Sequence, residues 1–505
     1  MTSFFTNLKS GTIVFLVALP LCLGIALACN VPLFAGVLAG IVGGIIVTVF
    51  SGSQVSVSGP AAGLTAIVIS AVASLGSYEH FLAAVIFAGL LQIVFGVVKA
   101  GSAANFIPLS VIKGMLAGIG IILIMKQVPH LVGYDRDPEG DFEFEQSDGH
   151  NTISDLYYMF NYITEGAAVI GFLSIAILLF GETKWFQTSK FKERLPLPLL
   201  VVVLGAALSK IFEHSSLLVL AQDHKVMLPI ITGFENFKSN LFLPDFSLWK
   251  SNHFWVVVLT LAAVASLETL LSIEASDKLD PKKRESNSNK ELVAQGIGNI
   301  VCGSIGALPV TSVIVRSSAN ISAGATGKLS AILHAVLLFI TVVFMPNVLM
   351  LIPNASLAAI LIMTGYKLSK LSMFKELYQK GLDQFLPFIV TIIVMLITDL
   401  LKGVGAGLVV AVVFIIRNNI QNSFEVIEDT INGKKNYLIK LPQHITFFNK
   451  GFVINYLRKI EHNSQVVIDG SITKTTDKDV KEVLLDFVET AKHKNIEIQF
   501  FKYVI

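Results

Sequence analysis

Leu308 to Ser322 reads LPVTSVIVRSSANIS, an apolar stretch that carries Arg316 at a depth where a membrane helix should hold no charge. A guanidinium cannot shed its proton in a protein. At the bilayer centre it costs roughly a few to more than ten kcal/mol, so ionisable residues kept at that depth mark substrate or ion pathways. A second apolar run, VVVLTLAAVASLETLLSIEA (Val256–Ala275), contains Glu268, the natural counter-charge. These two residues nominate the site.

The composition places both runs in a membrane. Of 505 residues, 53% are hydrophobic and only 15% charged, against about a quarter charged in soluble domains, and the mean hydropathy is +0.70. The apolar stretch from Gly11 to Ala28 is too long for a secretory h-region and runs directly into a second span, so the first helix is expected to be retained. Cys22, Cys29 and Cys302 all lie in apolar segments without metal-ligand spacing, which implies packing roles, no disulfide framework and no metal site. A net charge of +2 and the lack of interleaved basic and aromatic residues give no nucleic-acid signature.

Apolar windows predict fourteen spans, near 10–29, 31–50, 60–75, 80–99, 107–127, 166–181, 196–213, 253–275, 290–306, 310–323, 328–350, 355–368, 384–401 and 403–420. Loop charge orients them. Asp135–Asp155 is acidic, whereas Lys184–Arg194, Lys278–Lys290 and Lys367–Lys380 are rich in Lys and Arg. With the amino terminus inside, all three basic loops fall in the cytoplasm and the acidic one outside. Both termini are then expected to be cytoplasmic.

Two segments are interrupted. SGSQVSVSGPAAGLTAIVIS (Ser51–Ser70) begins polar and extended and becomes helical at Pro60, a residue suited to a first helical turn. GALPVTSVIVRSS (Gly306–Ser318) repeats that plan around Pro309. Each is third in its half of the fourteen. Irregular backbone at membrane depth survives only around protein or a watery cavity, and paired interrupted segments point to a transporter site whose half-helix amino termini face an anion. Beyond about Asn418 the composition changes. Residues 1–420 read as the membrane domain and 421–435 as a linker. Residues 436–505 read as a small soluble α/β domain, with strands in YLIKL, ITFF, QVVIDG and IEIQFF and a helix over Asp477–Lys492.

The chain resembles the SulP family of inorganic anion transporters. The resemblance rests on LKSGTIVFLVALPLCLGIALACNVP (Leu8–Pro32), SVSGPAAGLTA (Ser56–Ala66), SLETLLSIEASDKLDP (Ser266–Pro281) and NIVCGSIGALPVTSVIVRSSANISAGATGKLSAILHA (Asn299–Ala335). It implies an α-helical polytopic membrane protein of fourteen segments in two inverted repeats of seven. A core domain would move against a gate domain and hold the anion between spans three and ten. The tail resembles a STAS domain, which implies a regulatory or dimer-forming role and a homodimer. Where many STAS domains carry an Asp-Ser-Ser-Gly turn, this tail reads VVIDGSITKTTDKDV (Val466–Val480), so no phospho-switch serine is carried over.

On that resemblance, backbone N–H groups around Ala61, Ala62, Ser312 and Val313 form the anion cradle, with the Thr311 or Ser312 hydroxyl adding a donor and Arg316 setting the positive well. Leu21, Cys22 and Ile25 of the first span face the anion. Glu268 is the counter-ion of Arg316, a proton carrier or a sodium ligand, and Ser272, one turn on, shares its face. The Glu268–Arg316 combination resembles animal exchangers and proton-coupled plant carriers. An arginine that already neutralises the carboxylate argues against sodium coupling. Glu274 reads as interfacial and His334 as a packed residue.

No hydrolase or kinase constellation and no phosphate-binding Gly-Lys-Ser/Thr loop is present, so the chain is not read as an enzyme, needs no cofactor, and draws on ion gradients. The expected function is secondary active transport of bicarbonate or sulfate across the inner (plasma) membrane by elevator-like movement, through exchange or H+ or Na+ coupling. A passive anion channel of the same fold is the alternative. A nucleobase permease would need polar side chains where Leu21, Ala61 and Val313 stand.

Overall fold

The computed structural model describes residues 2–135, 151–188, 197–226, 241–421, 424–431 and 434–503. The acidic stretch 136–150 and the basic residues within 189–194 lie outside them. The chain divides into two compact units, residues 1–408 and 409–505.

The first unit is helical because a bilayer offers the backbone no hydrogen-bond partners. Its main elements are α1 (Thr2–Ala28), α2 (Leu33–Phe50), β1 (Ser58–Pro60), α3 (Thr65–Leu75), α4 (Tyr78–Val97), α5 (Leu109–Leu131), α6 (Glu165–Glu182), α7 (Leu197–Phe212) and α8 (Asn252–Leu279). There follow α9 (Ser288–Ile305), β2 (Val310–Ser312), α10 (Ile314–Ser322), α11 (Leu329–Phe344), α12 (Asn354–Leu368), α13 (Leu382–Ile397) and α14 (Leu400–Gln421), which runs into the second unit. Each expected span coincides with one of these helices. Among the described residues eight helices are long and apolar enough to cross a membrane, and α3, α7, α11 and α13 are shorter apolar helices.

Packing sorts them into two groups. α4 packs on α9, and α1 on α2, α10 and α11; in the other group α12 packs on α5 and α6, and α13 on α5. Without a hydrophobic driving force between helices in lipid, close approach depends on small residues. A methyl at Gly89 would meet the Gly296 carbonyl at 2.6 Å, joining α4 to α9, and one at Gly120 would meet the Gly365 carbonyl at 2.5 Å, joining α5 to α12.

The interrupted segments meet at the centre of the first group. β1 and β2 pair antiparallel, with Ser58 opposite Ser312, Gly59 opposite Thr311 and Pro60 opposite Val310. The chain reaches β2 by leaving α9 at Gly306, where φ is +80°, a left-handed turn that glycine adopts without steric cost. α2 makes room for the pair with a π turn at Gly43–Val47: a methyl at Gly43 would lie 2.4 Å from the Ser58 carbonyl.

In the second unit four strands form one sheet: β3 (Glu425–Ile431), β4 (Lys434–Lys440), β5 (Gln465–Asp469) and β6 (Glu497–Phe501), in that order. β3 is antiparallel to β4, and the other pairs are parallel. Two helices, α15 (Lys450–Lys459) and α16 (Lys478–His493), make the crossovers, and Val453, Leu457, Val480 and Leu484 share a core with Val466 and Ile468 of β5. The stretch 421–435, expected as a linker, supplies β3. Of the expected strand ITFF only Ile445 pairs, with Thr476, before a 3-10 turn at Phe447–Asn449.

Candidate functional site

Two short helices begin where β1 and β2 cross. α3 is entered through a 3-10 turn at Ala62–Leu64 and α10 starts at Ile314, so their amino termini face one cavity of about 380 Å³. The first N–H groups of any helix have no partner within it. Here that of Ala62 opens α3, while the Gly63 N–H is turned to the Glu268 carboxylate, and those of Ile314 and Val315 open α10. The walls are mostly apolar: Leu21 and Ile25 of α1, and Ile119 and Ile122 of α5. Glu268 and Ser272 of α8 supply polar groups.

The strand pair is locked by polar side chains spaced four apart on α9. The Asn299 Oδ1 accepts from the Val310 N–H at 2.6 Å, and its Nδ2 donates to the Val310 carbonyl at 3.1 Å and to Gln92 at 2.7 Å. Gln295 donates to Ser58 Oγ at 2.6 Å and to Glu291 at 3.0 Å. Glu291 is fully buried and accepts from the Ser51 hydroxyl and from the Gly52 N–H at 2.9 Å. From α10, Ser317 accepts from the Val57 N–H at 3.0 Å and Asn320 donates to the Val55 carbonyl at 2.9 Å. Sequence reasoning missed this set, although its signal was visible: polar residues at 291, 295 and 299 fall on one stripe of an otherwise apolar helix.

Not every nominated residue reaches the cavity. Leu21, Ile25, Ala62, Val313, Glu268 and Ser272 line it. Ala61 is buried, and its carbonyl accepts the Leu64 N–H at 3.2 Å. Thr311 and Ser312 are fully buried within the strand pair. The Thr311 hydroxyl donates to the Ser312 carbonyl at 3.2 Å, the Ser312 hydroxyl bonds that of Ser56, and the Ser312 N–H faces Thr269 Oγ1 at 3.4 Å. The Val313 N–H is held by the Val57 carbonyl at 3.0 Å. The Ser312 N–H is thus turned to Thr269 of α8 and the Val313 N–H is taken by the segment leading into β1, and the open amides of α10 begin at Ile314.

The expected Glu268–Arg316 ion pair is corrected by the geometry. Arg316 is 0% exposed and its Nη2 lies 3.3 Å from Cys22 Sγ, while its Nε and Nη1 have no hydrogen-bond partner. The guanidinium is stacked behind β1, where a methyl at Gly59 would lie 1.9 Å from Nη1. Glu268 is turned to the cavity side: a methyl at Gly63 would meet its Oε1 at 3.0 Å and its Oε2 at 3.2 Å. Both charges lie against the first interrupted segment, Arg316 at Gly59 and Glu268 at Gly63, and only the carboxylate lines the cavity.

Thr398 and Asp399 and the first turn of α14 complete the cavity wall, and Asp399 and Lys402 form an ion pair there at 2.8 Å. Sequence reasoning did not nominate them. Among the described residues no group of three or more His, Cys, Asp and Glu side chains is arranged to hold a metal ion. Glu274 pairs with Lys278 at 3.1 Å near the end of α8.

The model of the sulfate permease family matches residues 4–397. The bicarbonate transporter BicA of Picosynechococcus sp. is 28% identical over 426 residues, 82% of this chain and 71% of that protein. Sulfate transporter 4.1, chloroplastic, of Arabidopsis thaliana is 25% identical over 376 residues, 70% of this chain and 50% of that protein. Among solved structures, the transmembrane domain of a cyanobacterial BicA superposes with a TM-score of 0.54 at 24% identity, covering 81% of this chain and 97% of that one. Murine Slc26a9, an anion transporter in the inward-facing state, gives 0.68 at 15% identity over 99% of this chain and 86% of that one. At these identities the two structures establish the fold.

Proposed function

The chain belongs to the sulfate permease family, and on that premise we propose that it is a secondary active transporter of a small inorganic oxyanion, bicarbonate or sulfate. The observation that carries the reading is the convergence of the α3 and α10 amino termini on one mostly apolar cavity. Free N–H groups and the positive ends of two helix dipoles suit a compact anion, and the apolar wall offers nothing to a large polar solute. The anion would be held by the amide of Ala62 on one side and those of Ile314 and Val315 on the other, with the Gly63 amide facing Glu268. Arg316 would raise the potential from behind Gly59 without touching the anion.

Glu268 and Ser272 would carry the coupling cation, a proton or sodium. Since Arg316 does not pair with Glu268, the argument that an arginine pre-empts a cation at this carboxylate lapses. Transport would proceed by movement of α1–α4 and α8–α11 against α5–α7 and α12–α14, in the plasma membrane, with both termini in the cytoplasm and the protein as a homodimer. Residues 436–505 would serve as a STAS-like scaffold.

The test is uptake of labelled bicarbonate and labelled sulfate by reconstituted vesicles, with sodium and pH varied separately, for wild type and Glu268→Gln. Accumulation of either anion above its external concentration, driven by an imposed sodium or proton gradient, is expected. Vesicles that only dissipate an anion gradient would identify a channel instead.

A further inference from the structure

The surroundings of Arg316 contain polar groups but no carboxylate partner. Its Nη2 faces the Cys22 thiol at 3.3 Å. On the other side, His334 of α11 is fully buried and its Nδ1 is bonded to the Ala331 carbonyl. A carbonyl only accepts, so Nδ1 carries the proton of a neutral ring and Nε2 is left as a lone-pair acceptor. That Nε2 has no hydrogen-bond partner, and neither do Arg316 Nε and Nη1.

The bare glycine face of α2 brings these groups together. A methyl at Gly40 would lie 2.7 Å from Cys22 Sγ and 3.7 Å from Arg316 Nη1, and a methyl at Gly44 would lie 2.6 Å from His334 Cε1. Residues four apart on a helix are about 5–6 Å apart. The unpaired donors of Arg316 and the unpaired acceptor of His334 thus lie along the same glycine face of α2, one turn apart.

We infer that Cys22, which bonds the guanidinium, and His334, which flanks it along α2, are positioning residues that surround Arg316 with groups other than carboxylates, so that its charge stays uncompensated by a contacting side chain until an anion occupies the cavity. The inference rests on the proposed anion cradle. A buried carboxylate beside Arg316 would stabilise the cation more strongly, but it would also cancel the field that the cation projects through Gly59. Opposite charges at contact distance interact by several kcal/mol even at an effective dielectric constant of about 20. Neutral donors and acceptors satisfy geometry while leaving the net charge in place. On this account a side chain that improves the burial of Arg316 worsens the binding of substrate.

Equilibrium binding of bicarbonate and of sulfate to the purified full-length protein, read together with thermal stability, tests the inference. Cys22→Ser, which cannot ionise, and His334→Gln, whose amide oxygen reaches the Nε2 position, are expected to bind within about twofold of wild type. Cys22→Asp and His334→Glu are expected to keep or raise the thermal midpoint while weakening binding by at least about tenfold, equivalent to 1.4 kcal/mol. Carboxylate variants that fold and bind as wild type would overturn the inference, as would a tenfold tightening in Cys22→Ser, since that would show Cys22 to be a thiolate counter-ion. Arg316→Gln separates the layers: if it binds as wild type the cradle itself falls. If it binds weakly while the carboxylate variants bind normally, only the positioning role falls.

Discussion

Glu268 and Gly63 are in direct apposition, with the carboxylate laid against the glycine at the start of α3, so that a methyl there would stand 3.0 Å from Oε1. The carboxylate thereby belongs to the cavity side of the strand pair and Arg316 to the other side. Residues more than about 7–10 Å apart that share no partner contribute additively, within about 0.5 kcal/mol, and contacting ones couple by more. Glu268→Gln and Arg316→Gln, whose side chains lie against different glycines, are therefore expected to couple in anion binding by less than a contacting pair. A double-mutant cycle measured by equilibrium binding checks this, and a coupling energy well above that margin would show that the two charges meet in the working protein.

Gly59 supports Arg316 by having no side chain. A methyl there would overlap Nη1 at 1.9 Å, and the guanidinium has no space to retreat because it is fully buried. Gly59→Ala is expected to cut anion uptake by at least about tenfold while leaving Glu268 and the cavity wall chemically intact. Uptake near wild type in a correctly folded Gly59→Ala protein would show that Arg316 need not sit behind the strand.

Much of this site was legible in the sequence because its signals are violations of membrane rules. A charge at depth, Arg316, and proline-marked breaks at Pro60 and Pro309 each stand out against apolar helices. The direction in which a long side chain turns was not legible. Arg316 and Glu268 read as a pair because both were buried charges, yet periodicity fixes the face of a helix and not the neighbour a flexible side chain chooses. That Val57 takes the Val313 N–H was not legible either, since only the strand register shows it. Asp399 and Lys402 sit at the start of α14, where the expected spans 384–401 and 403–420 nearly abut, and nothing in their spacing singled them out. β3 was read as a linker because EVIEDTI is short and charged, the habit of an edge strand.

Asn299 is expected to be the most sensitive polar residue outside the cavity. It satisfies both backbone groups of Val310 and bonds Gln92, all in buried surroundings. Replacing one partner of a buried hydrogen bond leaves the other unsatisfied, at about 1–3 kcal/mol per group. Asn299→Ala should lower the thermal midpoint of the detergent-purified protein more than Ser304→Ala, whose hydroxyl only returns to the Ile300 carbonyl on its own helix. Equal midpoints for the two variants would remove Asn299 from the frame that holds the strands.

Away from the spans, Asp135 joins two imidazoles: His130 Nδ1 lies 2.7 Å from its Oδ1, and His224 Nδ1 lies 2.7 Å from its Oδ2. The loop that carries His224 is fastened beside α12 by the Val226 N–H on the Ile352 carbonyl at 3.0 Å. Burial opposes ionisation of Asp135, but hydrogen bonds from His130 and His224 outweigh it and hold the carboxyl below its usual range. The same carboxylate, by its hydrogen bond, raises His224 above the ordinary histidine value against the opposing effect of burial. A raised histidine stabilises the fold fully below its unfolded value of about 6.5, and that contribution is lost as pH climbs through the raised folded value. The depressed carboxyl works in the other direction, stabilising above about 3.9 and failing as pH falls through its lowered folded value. Between those limits, in mildly acidic solution, both contributions are present. The thermal midpoint of wild type should therefore fall as pH is raised from 6 to 9, and His224→Gln, which can still donate to Asp135 but does not titrate, should flatten that slope. Parallel pH profiles for the two proteins would show that the His224–Asp135 contact does not govern stability in this range.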